Sequence, residues 1–154
     1  MLLLDGTICS DISAFLARLQ EETLAYKIIP YTQWLEHADC HDHHEHPKGI
    51  IYLRVMPEIA LKRIQKTDPT FFITLEHIQQ IYTAKDELFI QGKHLPSALH
   101  NLPVLVLNGN IDFQTDFAQF YNHLFYIKRL INQIQEKEEK ELGIYKEKVI
   151  RRCC

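Results

Sequence analysis

Three short runs of apolar residues dominate the hydrophobic pattern of the chain, at residues 2–4, 50–53 and 104–107. Apolar residues are nearly continuous in these runs, whereas a strand with one solvated face would alternate apolar and polar positions. Continuous runs of this length, bounded by turn residues, are typical of parallel strands that are buried on both faces. The pattern therefore predicts three buried β-strands.

Between and after these runs, apolar residues recur every three or four positions, which predicts amphipathic helices over residues 12–27, 57–66, 74–89 and 116–134. Pro57 suits a first helical turn, and Thr74 is a suitable N-cap. Residues 31–37 predict one further short helix. An alternating order of buried strands and helices predicts a layered α/β domain with a parallel sheet.

The expected domain covers residues 1–134, and a highly charged segment follows over residues 135–154. That segment is most simply interpreted as a solvated tail, either a helical extension or disordered. With 154 residues, of which 46% are hydrophobic and 24% charged, the chain fits a single globular core.

Composition also excludes several classes of partner. The formal net charge is -3 and Lys and Arg form no stripe, which argues against nucleic-acid binding. No apolar run approaches the about 20 residues that a membrane-spanning helix needs. The four cysteines show no C-x-x-C spacing, so a disulfide framework is not expected. We therefore expect a soluble, cytoplasmic protein with no nucleic-acid or membrane partner.

A histidine-rich segment at residues 37–46 reads HADCHDHHEH and contains several types of metal ligand. A structural zinc site usually takes ligands from two separate places in the chain, and this segment has no second half with comparable spacing. Two interpretations stay open: a solvated surface loop with adventitious metal binding, or a specific metal site. We assign no metal ligand on this basis.

Phosphate binding is a more decisive test of function. Many nucleotide-binding sheets hold phosphates with the loop G-x-x-x-x-G-K-[ST], whose backbone N–H groups surround the anion. The chain has five glycines and none of them lies in that pattern. Lys62 and Arg63 lie in a helical pattern after the second strand, and Asp11 and Phe15 share one face of the first helix. By composition alone, Lys62 and Arg63 fit ordinary exposed helix positions better than a functional site, and an aromatic residue at the spacing of Phe15 is a core residue more often than a base-stacking platform.

Residues 49–64, which read GIIYLRVMPEIALKRI, resemble the fourth strand and following helix of the deoxyribonucleoside kinases. Residues 75–82 (LEHIQQIY) are similar to that family's helix after the lid, and residues 103–108 (PVLVLN) to its last strand. Residues 110–114 (NIDFQ) resemble the loop around the adenine of ATP, and residues 3–11 (LLDGTICSD) the strand with the acidic-Arg-Ser motif. The resemblance covers roughly residues 2–134.

The resemblance implies a P-loop-kinase-like parallel sheet with flanking helices. It also implies ATP-dependent 5′-phosphorylation of a deoxyribonucleoside, with ATP and Mg²⁺ as cofactors. The family's catalytic, substrate-binding and cofactor-binding positions fall respectively on Arg63 and Asp5, on Asp11 and Phe15, and on Asp112 and Phe113. The resemblance implies that Arg63 neutralises phosphate charge and that Asp5 is the acidic residue of the acidic-Arg-Ser motif near the phosphates. It also implies that Asp11 and Phe15 hold the nucleobase, and that Asp112 and Phe113 line the adenine.

Three departures change this expectation. Gly6 follows Asp5 where the family has an arginine, and the lid segment at residues 65–72 contains no arginine. The family's first strand, P-loop, catalytic acidic residue and second strand would all precede Met1. We therefore expect an incomplete fold in which the strands at residues 2–4 and 50–53 face a gap, because the missing first strand lies between them in the family.

Two functional hypotheses follow from the resemblance. The first is a deoxynucleoside kinase relative with little or no activity as this chain, which would bind a deoxynucleoside and ATP if complemented. The second is a non-catalytic kinase-fold subunit that forms a homo- or heterodimer with a kinase homologue. The apolar face of the helix at residues 12–27 is a suitable dimer surface in that case.

Overall fold

The computed structural model of this chain describes residues 1–8, 11–22, 26–37, 46–113 and 115–153, with backbone alone for residues 37 and 144–153. The described strands form one parallel sheet in the order β2-β1-β3-β4. Their bounds are β1 (Leu2–Gly6), β2 (Ile28–Pro30), β3 (Gly49–Arg54) and β4 (Val104–Asn108). The α/β class with a parallel sheet and flanking helices is confirmed.

The expected gap between two of the strands is absent. β1 and β3 pair directly, with Leu2 opposite Gly49 and Gly6 opposite Leu53. Each strand edge left facing a gap would bury backbone donors and acceptors without partners, at a cost of about 1–3 kcal/mol each. Direct pairing removes that cost, so the prediction of two open edges in the middle of the sheet is wrong.

The helices are α1 (Ile12–Glu22), α2 (Tyr31–His37), α3 (Pro57–Thr67), α4 (Leu75–Phe89) and α5 (Phe117–Cys153). Pro57 occupies the first turn of α3, and the Thr74 side chain accepts a hydrogen bond from the His77 N–H at 3.2 Å, which caps α4. Both starts were predicted. α5 continues as a helix through the charged segment that begins at residue 135.

The first predicted helix, over residues 12–27, is too long, and the strand that follows it was missed. α1 ends at Glu22, and β2 then pairs with β1 through Leu2 opposite Ile28 and Leu4 opposite Pro30. Ile28 is buried by this pairing. Pro30 has no N–H to donate to a sheet, which suits a strand at the edge.

Helices cover both faces of the sheet. On one face, α1 and α5 pack against the side chains of alternate strand residues, including Leu4 and Ile51. On the other face, α2 and the end of α4 pack against Leu3, Ile50 and Tyr52. Thus β1 and β3 are buried on both faces, as predicted.

The same prediction fails for β4, which lies at the edge of the sheet. Its burial is partial along most of its length, and the Val106 side chain is 43% exposed.

Among the described helices, none combines the length and apolarity needed to cross a bilayer.

Candidate functional site

The candidate site lies where the carboxyl ends of the parallel strands meet, the edge at which parallel α/β sheets usually bind ligands. β1 and β3 are joined there by Thr7, which is buried. Its hydroxyl accepts the Val55 N–H at 2.8 Å and donates to the Val55 carbonyl at 3.3 Å. This side chain fixes the two chain segments that leave the centre of the sheet.

Asp5 lies at this edge as a buried carboxylate, with a residue exposure of 4%. The Lys85 ammonium group on α4 lies 2.6 Å from one carboxylate oxygen, and the Gly6 N–H donates to the other at 2.7 Å. Burial raises the pKa of the neighbouring Tyr31 phenol, and the negative charge of Asp5 raises it further. A lysine that is distant in sequence therefore supplies a cation beside Asp5, although Gly6 itself carries none.

A second ion pair joins β3 to α4. The Arg54 guanidinium makes two hydrogen bonds to the Asp86 carboxylate and lies over the Tyr82 ring at 4.9 Å from its centroid. The Tyr52 hydroxyl donates to the same carboxylate at 3.0 Å. Burial raises the pKa of the Tyr52 phenol well above its usual range, and the hydrogen bond to Asp86 acts in the same direction. Lys85 and Asp86 thus hold α4 on the ends of β1 and β3.

Arg63, on α3, reaches the loop that follows β4. Its guanidinium donates to the carbonyl of Gly109 at 2.9 Å and to that of Ile111 at 3.1 Å. The structure therefore brings together Arg63 and the loop that contains Asp112 and Phe113, although 46 and 48 positions separate the bonded residues. Asp112 is exposed, and its carbonyl accepts the Asp116 N–H at 2.8 Å just before α5.

The other side of the same loop is held by Arg18 of α1. This guanidinium donates to the Phe113 carbonyl and lies over the Phe120 ring at 4.2 Å from its centroid. The Phe113 ring is buried against Phe15, with a centroid distance of 4.6 Å. Two arginines from different helices therefore hold three carbonyl groups of one loop.

Phe15 and Phe113 are both part of the core in this conformation, with exposures of 0% and 3%. Asp11 is exposed and has a φ of 54°, a left-handed conformation that is uncommon outside glycine but tolerated by Asp. The nucleobase roles of Asp11 and Phe15, and the adenine role of Asp112 and Phe113, stay predictions. A base stacked on either phenylalanine ring would require that ring to move outwards.

His123 of α5 contacts both the end of β4 and the loop that follows it. One ring nitrogen, Nε2, lies 2.9 Å from the Asn108 carbonyl, so this nitrogen carries the proton. The other, Nδ1, is buried and has no hydrogen-bond partner among the described residues. The ring contacts Phe113 edge-on, with centroids 5.8 Å apart. His123 therefore holds the end of β4 through this hydrogen bond.

Metal ligands do not cluster at this edge: within the described ranges there is no group of three or more His, Cys, Asp or Glu side chains that could hold an ion. Most of the histidine-rich segment, residues 38–45, lies outside those ranges. The chain matches no protein-family model. The interpretation of the site therefore rests on the geometry of its own residues.

Sequence reasoning missed Lys85, Arg18 and the Arg54–Asp86 pair. Lys85 and Asp86 lie in a helical pattern in which charged residues are normally solvated. Lys85 and Asp5 are 80 positions apart, so no local spacing could indicate their contact. The sequence offered only an indirect signal. An acidic residue directly after a buried strand is itself buried when the chain folds, and a buried carboxylate requires a cation or hydrogen-bond donor as its partner.

Proposed function

We propose that this chain is a nucleotide-binding domain of deoxyribonucleoside-kinase type, which receives ATP at the loop between β4 and α5. In the parent reaction the γ-phosphoryl group of ATP is transferred to the 5′-hydroxyl of a deoxyribonucleoside with Mg²⁺. The observation that carries the proposal is the pair of hydrogen bonds from Arg63 to the carbonyls of Gly109 and Ile111. Two segments that the resemblance assigns to one nucleotide are thereby direct neighbours.

The position of these residues also suits a nucleotide. They lie at the carboxyl edge of a parallel sheet, and a loop held by Arg18 and Arg63 is preorganised, which lowers the entropy that binding must overcome. The Arg63 side chain is partly exposed beside this loop. A base can be received by the loop while the adjacent guanidinium contributes positive charge toward the phosphates.

Catalysis by this chain alone is not part of the proposal. The sequence contains no G-x-x-x-x-G-K-[ST] loop, and Gly6 follows Asp5 where the family has an arginine. Phosphoryl transfer depends on positioning and on neutralising the transferring group, so the loss of both features removes most of the rate. We expect no measurable phosphorylation of any deoxyribonucleoside by ATP and Mg²⁺.

Isothermal titration of the chain with ATP tests the binding proposal. We expect saturable binding with a dissociation constant on the order of 0.1–1 mM, and a roughly tenfold weakening by Arg63→Ala, because two charge-assisted hydrogen bonds to the loop are lost. Lys62→Ala is the matched control, because Lys62 is exposed on the same helix and carries the same charge. Its affinity should stay within about twofold of the parent chain.

The two parts of the proposal fail separately. A folded chain that shows no saturable ATP binding, or equal effects of the two variants, would overturn the nucleotide site. Turnover of a deoxyribonucleoside that disappears in Arg63→Ala would instead show that the chain is a complete enzyme. Circular dichroism of each variant establishes that the fold is retained.

A further inference from the structure

The outer face of α5 carries an exposed stripe that the fold leaves unused. α5 buries one face against the sheet and α1, including Leu124, Ile127 and Ile134. Residues on the opposite face recur at three- and four-residue spacing, which keeps them on one line along the helix. This outer stripe consists of Tyr121, Phe125, Lys128, Asn132, Glu136, Glu139 and Gly143, all of them exposed.

The outer stripe begins with two aromatic side chains, Tyr121 and Phe125, whose exposure to water is unfavourable. The Tyr121 side chain is 51% exposed and that of Phe125 is 63% exposed. Neighbouring exposed aromatic residues on a regular element commonly mark an interaction surface. By contrast, Phe15 and Leu19 on the apolar face of α1 are fully buried within the chain. A dimer surface is therefore better sought on α5 than on the helix that the sequence suggested.

The order of chemical types along the outer stripe selects the partner. Aromatic residues come first, then the cation Lys128, then Asn132, then the acids Glu136 and Glu139. A second copy in parallel orientation would place like charges together. An antiparallel copy centred on Asn132 superimposes the stripe on itself and pairs Tyr121 with Gly143, Phe125 with Glu139, and Lys128 with Glu136.

We infer that the outer stripe binds a second copy of this chain, through an antiparallel pair of α5 helices related by a two-fold axis at Asn132. Each Lys128 then faces Glu136 of the other copy, and this contact occurs twice because the interface is isologous. A Cβ added at Gly143 would meet no atom within 4 Å, so open space lies there for the Tyr121 ring of the second copy.

The dimensions of α5 are sufficient for such a pair. The helix has 37 residues, and the outer stripe from Tyr121 to Gly143 spans about 33 Å at the usual rise per residue. Both side chains are exposed, and neither Lys128 nor Glu136 takes part in an ion pair among the described residues. The inference does not depend on nucleotide binding, because the stripe faces away from the sheet.

Sedimentation equilibrium of the purified chain is the test. We expect twice the 18.2 kDa monomer mass at high concentration. Lys128→Glu and Glu136→Lys should each raise the dissociation constant by roughly tenfold to a hundredfold, because two attractive contacts become repulsive. An equimolar mixture of the two variants should restore dimers, since positions 128 and 136 then again carry opposite charges across both contacts. Lys62→Glu, on the distant α3, controls for the change in net charge.

Each outcome is decisive. A monomer at about 200 µM would overturn the inference and assign the stripe to a different partner. A dimer that resists both charge reversals, or two variants that stay monomeric when mixed, would place the interface elsewhere or in another orientation. All substitutions lie on exposed helix faces, so we expect them to leave the fold intact. If the mixed, dimeric form of the two variants melts at the same temperature as the parent chain, the loss of dimers in each variant alone reflects weaker association and not unfolding. High salt should reduce the differences among the variants.

Discussion

The ion pair between Asp5 and Lys85 joins β1 to α4 at the candidate site and is largely buried. The Asp5 side chain is 6% exposed and the Lys85 side chain is 27% exposed. Replacing Lys85 by Met keeps the apolar stem and removes the charge, so Asp5 is left buried with one hydrogen bond, from the Gly6 N–H. We expect Lys85→Met to destabilise the chain substantially.

The magnitude follows from the degree of burial. Removing one partner of a fully buried ion pair costs about 3–5 kcal/mol, whereas an exposed pair contributes about 0–1 kcal/mol. Lys85 is partly solvated and Asp5 keeps a donor, so we expect Lys85→Met to lower the free energy of unfolding by about 2 kcal/mol. For a chain of this size, that corresponds to a fall in Tm of about 4–8 °C.

Urea unfolding followed by circular dichroism and by the fluorescence of Trp34, the single tryptophan, measures this difference. The matched control is Lys93→Met, because Lys93 makes an ion pair with Glu87 in which the side chains are 51% and 39% exposed. Its effect should be below about 0.5 kcal/mol. Equal effects of the two variants, or an unchanged midpoint for Lys85→Met, would refute the burial argument.

Three other substitutions or conditions test neighbouring contacts. Gly109→Ala should cost about 1–3 kcal/mol, since its Cβ would lie 2.7 Å from a methyl group of Val55, and an unaltered urea midpoint would contradict this. Arg18→Met should cost about 1–2 kcal/mol through the lost hydrogen bond to the Phe113 carbonyl, and Arg18→Lys should recover part of that loss in thermal unfolding. Burial raises the pKa of the Tyr52 phenol, so its contribution to stability is complete below the usual pKa of about 10 and falls as the pH rises above it. Tyr52→Phe should flatten this alkaline loss of stability, which phenolate absorbance and circular dichroism measure together.

The sheet was predictable where the sequence pattern is determined by burial on both faces. β1 and β3 have nearly continuous apolar residues because helices cover each side of them. β2 has only Ile28 and Ile29 before Pro30, and its extended shape depends on pairing with β1. A run of two apolar residues carries no strand signal. The apolar run of β4 is just as continuous, yet the strand lies at the edge of the sheet, a position that its own sequence does not encode.

The candidate site was predictable only in part, for a similar reason. The resemblance assigned Arg63 and the loop at residues 110–114 to one nucleotide, and this assignment stays a prediction; the structure shows that Arg63 contacts the Gly109 and Ile111 carbonyls. Lys85 went unnoticed because its partner, Asp5, lies 80 positions earlier in the sequence. The spacing of Phe15 favoured a core position, but its contact with Phe113 was inaccessible, since the two residues are far apart in sequence.

Direct pairing of β1 with β3 has a consequence for biosynthesis. β1 is made before both of the strands that complete its hydrogen-bonding edges, β2 and β3. At about 5–20 residues per second, the ribosome reaches the end of β3 roughly 2–10 s after it has made β1. During that interval the leucines of β1 lack at least one of these partner strands, so the nascent chain exposes an apolar segment that we expect a chaperone to cover.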